Sequence, residues 1–142
     1  MRAIFSSKDS RWATPQDLFD KLNAEFHFTL DPCADETNHK LEKWYGEAED
    51  GLAQDWGGET VFCNPPYGRE LKRWVEKAYC ESRRPGTTVV MLIPARTDTE
   101  WFHSYVLGHE IRFVRGRLKF GEAKNGAPFA SMVVVMRGRG VR

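Results

Sequence analysis

At 142 residues, with 41% hydrophobic and 29% charged residues, the chain has the length of one domain and the make-up of a folded globule, not of a disordered segment. Its 21 Lys and Arg nearly cancel its 20 Asp and Glu, leaving a net charge of +1. No apolar run approaches the roughly 18–20 residues that a membrane-spanning helix needs, and the opening MRAIFSSKDSRW has no apolar stretch of signal-peptide length.

Residues 1–12 read as an arm with little structure of its own. Thr14-Pro15-Gln16-Asp17 then marks a helix start, with Thr14 as cap, Pro15 at the first helical position and Asp17 completing a box-like signal. Leu18, Phe19, Leu22 and Phe26 give this helix an apolar face to about residue 26. Phe28-Thr29-Leu30 reads as a short strand that stops at Asp31-Pro32. Residues 35–58 are polar, with aromatic islands at Trp44-Tyr45 and Trp56 and a Gly57-Gly58 break. Thr60 to Cys63 is a short, buried strand, and an amphipathic helix over 69–83 follows, its apolar side carrying Leu71, Trp74, Val75, Ala78 and Tyr79. Pro85-Gly86 forces a turn before Thr87 to Ile93, a β-branched run suited to the centre of a sheet and ended by Pro94. Asp98 is placed to cap a helix over about 98–107 containing Trp101, Phe102 and Val106. Ile111 to Val114 is a further strand, turned at Arg115-Gly116 toward a short partner at Leu118–Phe120, and after the loop 121–128 Ser131 to Met136 is the last strand.

Strands alternating with helices imply an α/β fold with a mostly parallel sheet and helices on both faces. The closing segment from Phe113 to Met136, with no helix between its strands, reads as an antiparallel C-terminal edge hairpin. The 142 residues read as one compact domain, without repeats, linkers or a separate target-recognition domain.

The balanced net charge hides a polarity. Residues 16–60 hold twelve Asp and Glu against three Lys and Arg, whereas residues 111–142 hold eight Lys and Arg against Glu122. The basic quarter suggests a polyanion such as nucleic acid, and the acidic stretch suits a cationic small molecule. Either run is also compatible with a plain solvated face. Cys33, Cys63 and Cys80 are odd in number and form no C-x-x-C pair, which argues for reduced thiols of a cytoplasmic protein and against a zinc site or disulfide scaffold. The four histidines show no i, i+4 pairing and read as structural or surface groups. Trp12, Trp44, Trp56, Trp74 and Trp101 read as core or loop anchors, with Trp12 and Trp56 as possible stacking platforms.

The most informative segment is Asn64-Pro65-Pro66-Tyr67. Two prolines cannot donate backbone hydrogen bonds and are locked near φ ≈ −65°, so the strand must end there. The rim so formed holds an amide, exposed carbonyls and an aromatic ring in fixed relation. The Asn64 side-chain oxygen and the Pro65 carbonyl can each accept one hydrogen of a planar NH2 group, while Tyr67 stacks on its ring. Drawing both hydrogens out of plane moves an arylamine nitrogen toward tetrahedral geometry and frees its lone pair for an in-line methyl sulfonium.

Together with Thr14-Pro15 and Asp31-Pro32-Cys33-Ala34, this order resembles the S-adenosylmethionine-dependent amino methyltransferases, most closely the small phage-type DNA N-6-adenine methyltransferases. The resemblance runs from about Trp12 to Met136 and extends to Gly116–Phe120 and Ala127–Ser131. It implies a Rossmann-like methyltransferase fold, an activity on adenine in double-stranded DNA, S-adenosyl-L-methionine as cofactor, and the interior of a bacterial or phage-infected cell as location, for a monomer or homodimer. It further implies that Thr14 and Pro15 contact the methionine end of the cofactor and that Asp31, Pro32, Cys33 and Ala34 form the loop beneath it, with Asp31 near its ammonium group. By the same resemblance Asp50 reads the cofactor's adenine, with Glu49 and Asp55 as competitors, and Asn64 to Tyr67 are the catalytic clamp. Lys119 and Phe120 would border the base pocket, and Arg115, Arg117, Lys124 and the neighbouring arginines would hold phosphates. Ala34-Asp35-Glu36 stands where the wider superfamily has a Gly-x-Gly turn. Rival readings are an amino methyltransferase acting on cytosine, RNA guanine or protein glutamine, and a non-catalytic DNA-binding module on a decayed fold; the intact clamp argues against decay.

Overall fold

The computed structural model describes residues 13–121 and 123–138, so the predicted arm, with Trp12, lies outside the described residues. The elements in chain order are helix α1 (Gln16–Phe26), a 3-10 turn (Gly51–Ala53), strand β1 (Thr60–Cys63), helix α2 (Leu71–Ser82), strand β2 (Thr88–Pro94), a π-helix (Phe102–Val106), strand β3 (Glu110–Phe113) and strand β4 (Ser131–Arg137). The sheet order is β1-β2-β4-β3. β1 pairs with β2 in parallel, and β4 is antiparallel to both β2 and β3. Three strands therefore run one way, and β4 alone is reversed.

The antiparallel C-terminal pair expected at one edge of the sheet is present there, as β4 and β3. β4 lies inside the sheet, between β2 and β3, and β3 forms the edge. Burial explains which strand of the pair is outermost: Ser131 to Met136 are all buried, whereas Glu110 and Phe113 are exposed and Ile111 and Arg112 half-buried. An uninterrupted apolar strand gains most from neighbours on both sides, and the edge falls to the strand carrying charge. In β1, β2 and β4 consecutive residues are buried, so both faces of the sheet are covered. Phe19 of α1 meets Phe62 of β1 edge-on at 5.2 Å, and α2 packs against β2, β4 and the π-helix.

Other predicted elements are shortened or recast. Phe28–Leu30 runs beside β1 through Thr29 N to Thr60 O (2.7 Å) and Phe62 N to Leu30 O (3.0 Å), but amounts to an isolated bridge before Asp31-Pro32 stops it. The predicted 98–107 helix becomes the π-helix, closed by an i to i+5 bond from Leu107 N to Phe102 O (2.8 Å). Thr99 Oγ1, not Asp98, accepts from its first turn at Phe102 N. Leu118–Phe120 is loop, not strand, flanked by Gly116 at φ 78° and Gly121 at φ 55°, where an extended ladder cannot continue.

Trp56 and Trp74 are fully buried and stack at 6.4 Å, and Trp56 Nε1 donates to Gly51 O at 3.0 Å, which corrects the stacking-platform reading of Trp56. Gly51 presses its bare backbone on the loop after Leu30: a methyl group there would lie 2.0 Å from the Pro32 carbonyl oxygen and 3.1 Å from the Trp74 ring. Gly51→Ala should therefore lower stability by about 2–3 kcal/mol in urea unfolding. Gly68→Ala, with open space around it, should stay within about 0.5 kcal/mol of the parent. Equal effects at the two sites would refute the packing argument.

Candidate functional site

The topology collects the candidate residues at one end of the sheet. β1 and β2 run in parallel, so Asn64 and the Ala95-Arg96 turn leave at the same end. β4 is reversed and pairs Ser131 with Pro94 and Met132 with Phe113, which brings Phe129-Ala130 and Val114-Arg115 to that end as well. Leu30 bridges Val61 in parallel, so the Asp31–Ala34 loop opens beside Asn64. The segment before α1 is held there by Gly121 N donating to Ala13 O (2.9 Å). Ligands of open α/β sheets collect at carboxyl ends of strands.

Asn64 follows the last β1 residue and is half-buried. Its Nδ2 donates to Thr14 Oγ1 at 3.0 Å, and its Oδ1 accepts from Tyr67 Oη at 2.7 Å. The same phenol donates toward Leu92 O at 3.0 Å, one residue beyond the last β1–β2 pair of Cys63 with Met91. Pro65 is buried and Pro66 half-buried. Tyr67 is only 9% exposed, and its ring stands nearly perpendicular to those of Phe120 (6.0 Å) and Phe129 (5.5 Å). Burial pushes the Tyr67 hydroxyl well above the ordinary phenol range, against the opposing charge of nearby Arg96, so the phenol stays a donor. Thr14, predicted to cap α1, does not: the helix has Pro15 at its N-cap and no side-chain cap bond there. Its hydroxyl is turned to Asn64 instead.

The Asp31–Ala34 loop is stitched to the 43–46 segment. Asp31 N donates to Lys43 O, Tyr45 N to Asp31 O and Ala34 N to Tyr45 O, all at 2.9–3.0 Å. The Asp31 carboxylate is 4% exposed and accepts from Cys33 N (3.4 Å) and Lys40 N (3.3 Å). Where a Gly-x-Gly turn is missing, Asp35 Oδ1 gathers the N–H groups of Thr37 (2.8 Å) and Asn38 (2.9 Å). Close approach is supplied from the other side: Gly46 meets the Ala34 carbonyl and Gly51 meets that of Pro32. Of the three acidic competitors, Glu49 accepts from Gly46 N (2.6 Å), and Asp55 is held by Arg84 and Gly57 N. The Asp50 carboxylate is exposed, precedes Gly51 directly, and makes no hydrogen bond among the described residues.

The basic candidates separate into two groups. Arg115, Arg117, Lys119 and Lys124 are exposed on the 114–130 loop. Arg112, counted with the phosphate-holding arginines, is instead taken by both oxygens of Glu25 (2.7 Å each) and by Glu110 (2.7 Å). Phe120 is 1% exposed and packs on Tyr67 and Phe129. Two residues at this end carried no individual role in the sequence reading, which placed Phe129 only within the Ala127–Ser131 segment and Arg96 only within a 96–100 loop suited to reading the target. Arg96 lies two residues after Pro94, whose position at the end of β2 was the available signal.

A model of the family described as DNA N-6-adenine-methyltransferase (Dam) matches residues 3–139. The chain is also similar to the DNA N-6-adenine-methyltransferase of Haemophilus phage HP1 (strain HP1c1), at 37% identity over 99 residues, which cover 68% of this chain and 56% of that protein. The match thus spans little more than half the length of the relative.

Asp31 gives the site a pH signature. Burial pushes its carboxyl up to about 7, and the two backbone N–H groups only partly oppose this. Below about pH 4 folded and unfolded chains both carry the proton. As pH rises toward 7 the unfolded chain releases it and the folded chain keeps it, so this group's contribution to stability falls across that window and levels off above it. Relative to Asp31→Asn, the parent should lose up to about 4 kcal/mol between pH 4 and 7.5 in urea unfolding. Parallel curves for the two proteins would exclude a perturbed Asp31.

Proposed function

The chain belongs to the DNA N-6-adenine-methyltransferase (Dam) family, and from that membership we propose that it transfers a methyl group from S-adenosylmethionine to the exocyclic amine of adenine in DNA. The observation that carries the reading is the meeting of Asn64, Pro65 and Tyr67 with Thr14 and the Asp31–Ala34 loop at one end of the sheet. The uniform direction of β1, β2 and β3, with candidates gathered at strand ends, supports a Rossmann-like methyltransferase fold.

The donor set fits the proposed cofactor, which is a cation with an ammonium group and hydroxyls. Asp31 is a buried carboxylate at the floor of the loop, and Asp50 an exposed one on the adjoining turn. Thr14 and Pro15 stand at the N-terminus of α1. When bound, S-adenosylmethionine supplies an electrophilic methyl group. The clamp's part is to hold the target amine: Asn64 Oδ1, which has a second lone pair beside the one used by Tyr67, accepts one amine hydrogen, and Pro65 O accepts the other. The nitrogen would gain tetrahedral character and its lone pair would be freed for the methyl carbon, whose bond to sulfur would break with S-adenosylhomocysteine as the leaving group, and one amine hydrogen would leave as a proton. Stacking on the base requires the Tyr67 ring to come forward from its packing on Phe120 and Phe129. The substrate is double-stranded DNA from which the adenine is turned out of the stack, its phosphates met by Arg115, Arg117, Lys119 and Lys124. Within the described residues, sequence reading falls to the 114–130 loop and to the turn around Arg96. Such an enzyme works where DNA is, inside a bacterial or phage-infected cell.

The test is methyl transfer from labelled S-adenosylmethionine to unmethylated double-stranded DNA, followed by nucleoside analysis. Label is expected in N-6-methyladenine; label in cytosine would correct the base, and no transfer would overturn the reading. Asn64→Ala should abolish transfer while keeping the parent's unfolding curve and much of its DNA binding. Tyr67→Ala should be severe and Tyr67→Phe mild, because the Asn64 oxygen has to be available to the amine in any case.

A further inference from the structure

Asn64 is held at both ends. Its Nδ2 donates to Thr14 Oγ1 (3.0 Å), and its Oδ1 accepts from Tyr67 Oη (2.7 Å). The two holds differ in kind. Tyr67 has a second acceptor in Leu92 O at 3.0 Å, so its buried phenol keeps a partner when it lets go of Asn64. Thr14 is 6% exposed and performs no capping on α1. A threonine before a helix ordinarily gives its oxygen to the free N–H groups of the first turn. Here that stabilisation is forgone, and the oxygen faces an amide fifty residues away.

An amide side chain has two ends of similar shape and opposite hydrogen-bonding sense. If Asn64 turned over, it would offer an NH2 to an incoming NH2, and the grip would be lost. We propose, resting on the clamp reading above, that Thr14 is a positioning residue for Asn64: by accepting from Nδ2 it keeps Oδ1 facing the target amine, while Tyr67 is the partner that gives way. The oxygen of Asn64 is thus oriented from the side that the substrate never occupies, and the hold persists when the amine arrives. Thr14 touches neither amine nor methyl group in this role. It acts through Asn64.

Val has nearly the shape of Thr and lacks the acceptor, while Ser keeps the acceptor and loses a methyl group. Thr14→Val, Thr14→Ser and Asn64→Ala are compared with the parent at saturating DNA and S-adenosylmethionine, after urea unfolding has shown each to be folded. For Thr14→Val, kcat should fall about tenfold to a hundredfold with both KM values within about threefold of the parent, and Thr14→Ser should recover most of the loss. Independently of activity, the Asn64 side-chain NH2 protons, assigned by NMR as those missing in Asn64→Ala, should exchange slowly in the parent and in Thr14→Ser and rapidly in Thr14→Val. Equal behaviour of the Val and Ser variants, a loss confined to the cofactor KM, or unchanged amide exchange would each overturn the positioning role. Persistent methyl transfer by Asn64→Ala would instead overturn the clamp reading itself.

Discussion

Two adjacent prolines offer no N–H to a neighbouring strand, and at Pro65 and Pro66 that deficit ends β1 while β2 beside it continues to Pro94. The chain has to leave the sheet there, and what it carries out is Asn64. The mismatch in strand length leaves β2 carbonyls beyond the last parallel pair, and the Tyr67 phenol reaches one of them at Leu92. The same departure sets Asn64 against the residue before α1. One backbone constraint therefore fixes a side-chain amide between the first helix, the central strand and an aromatic cluster of Tyr67, Phe120 and Phe129. Rigid positioning of this kind is what an uncharged amide needs if it is to act on a weak nucleophile.

What could be read from the sequence was local. The β-branched run at 88–93, the proline breaks at 65 and 94 and the 3.6-residue pattern of α2 depend on neighbours along the chain, and all lie where expected. Strand order depends on competition between segments far apart, so the edge hairpin was legible but not which of its two strands lies outermost. Thr14 shows the same limit on a smaller scale. Its pattern is that of a helix cap, and only the arrival of Asn64 from fifty residues away redirects its hydroxyl. The missing Gly-x-Gly was legible, but the packing of Gly46 on Ala34 and of Gly51 on Pro32 was not, because it acts across space.

The charge polarity also changes meaning in three dimensions. Part of the acidic stretch is consumed in pairs, Glu25 with Arg112, Glu59 with Lys43 and Asp55 with Arg84. Arg112 and Arg137 share Glu110 and both lie over the ring of Phe26. Exposed pairs of this sort contribute modestly to stability. Their larger effect is to sort the cations: Arg112 on β3 and Arg137 on β4 are paired at the sheet, while Arg115, Arg117, Lys119 and Lys124 remain exposed on the 114–130 loop.

The reversed strand has a consequence for how the protein comes into being. β4 is the last element along the described chain, yet it occupies the interior of the sheet and joins β2 to β3. Before Ser131–Arg137 has been synthesised, β2 and β3 have no common neighbour, and no strand anchors Phe129 at the end of the sheet that bears Asn64. A chain emerging residue by residue must keep an apolar edge on β2 unpaired until then. Assembly is thus gated by the final strand, so a ribosome-bound or prematurely terminated chain would carry the Asn-Pro-Pro-Tyr segment without the frame that orients it.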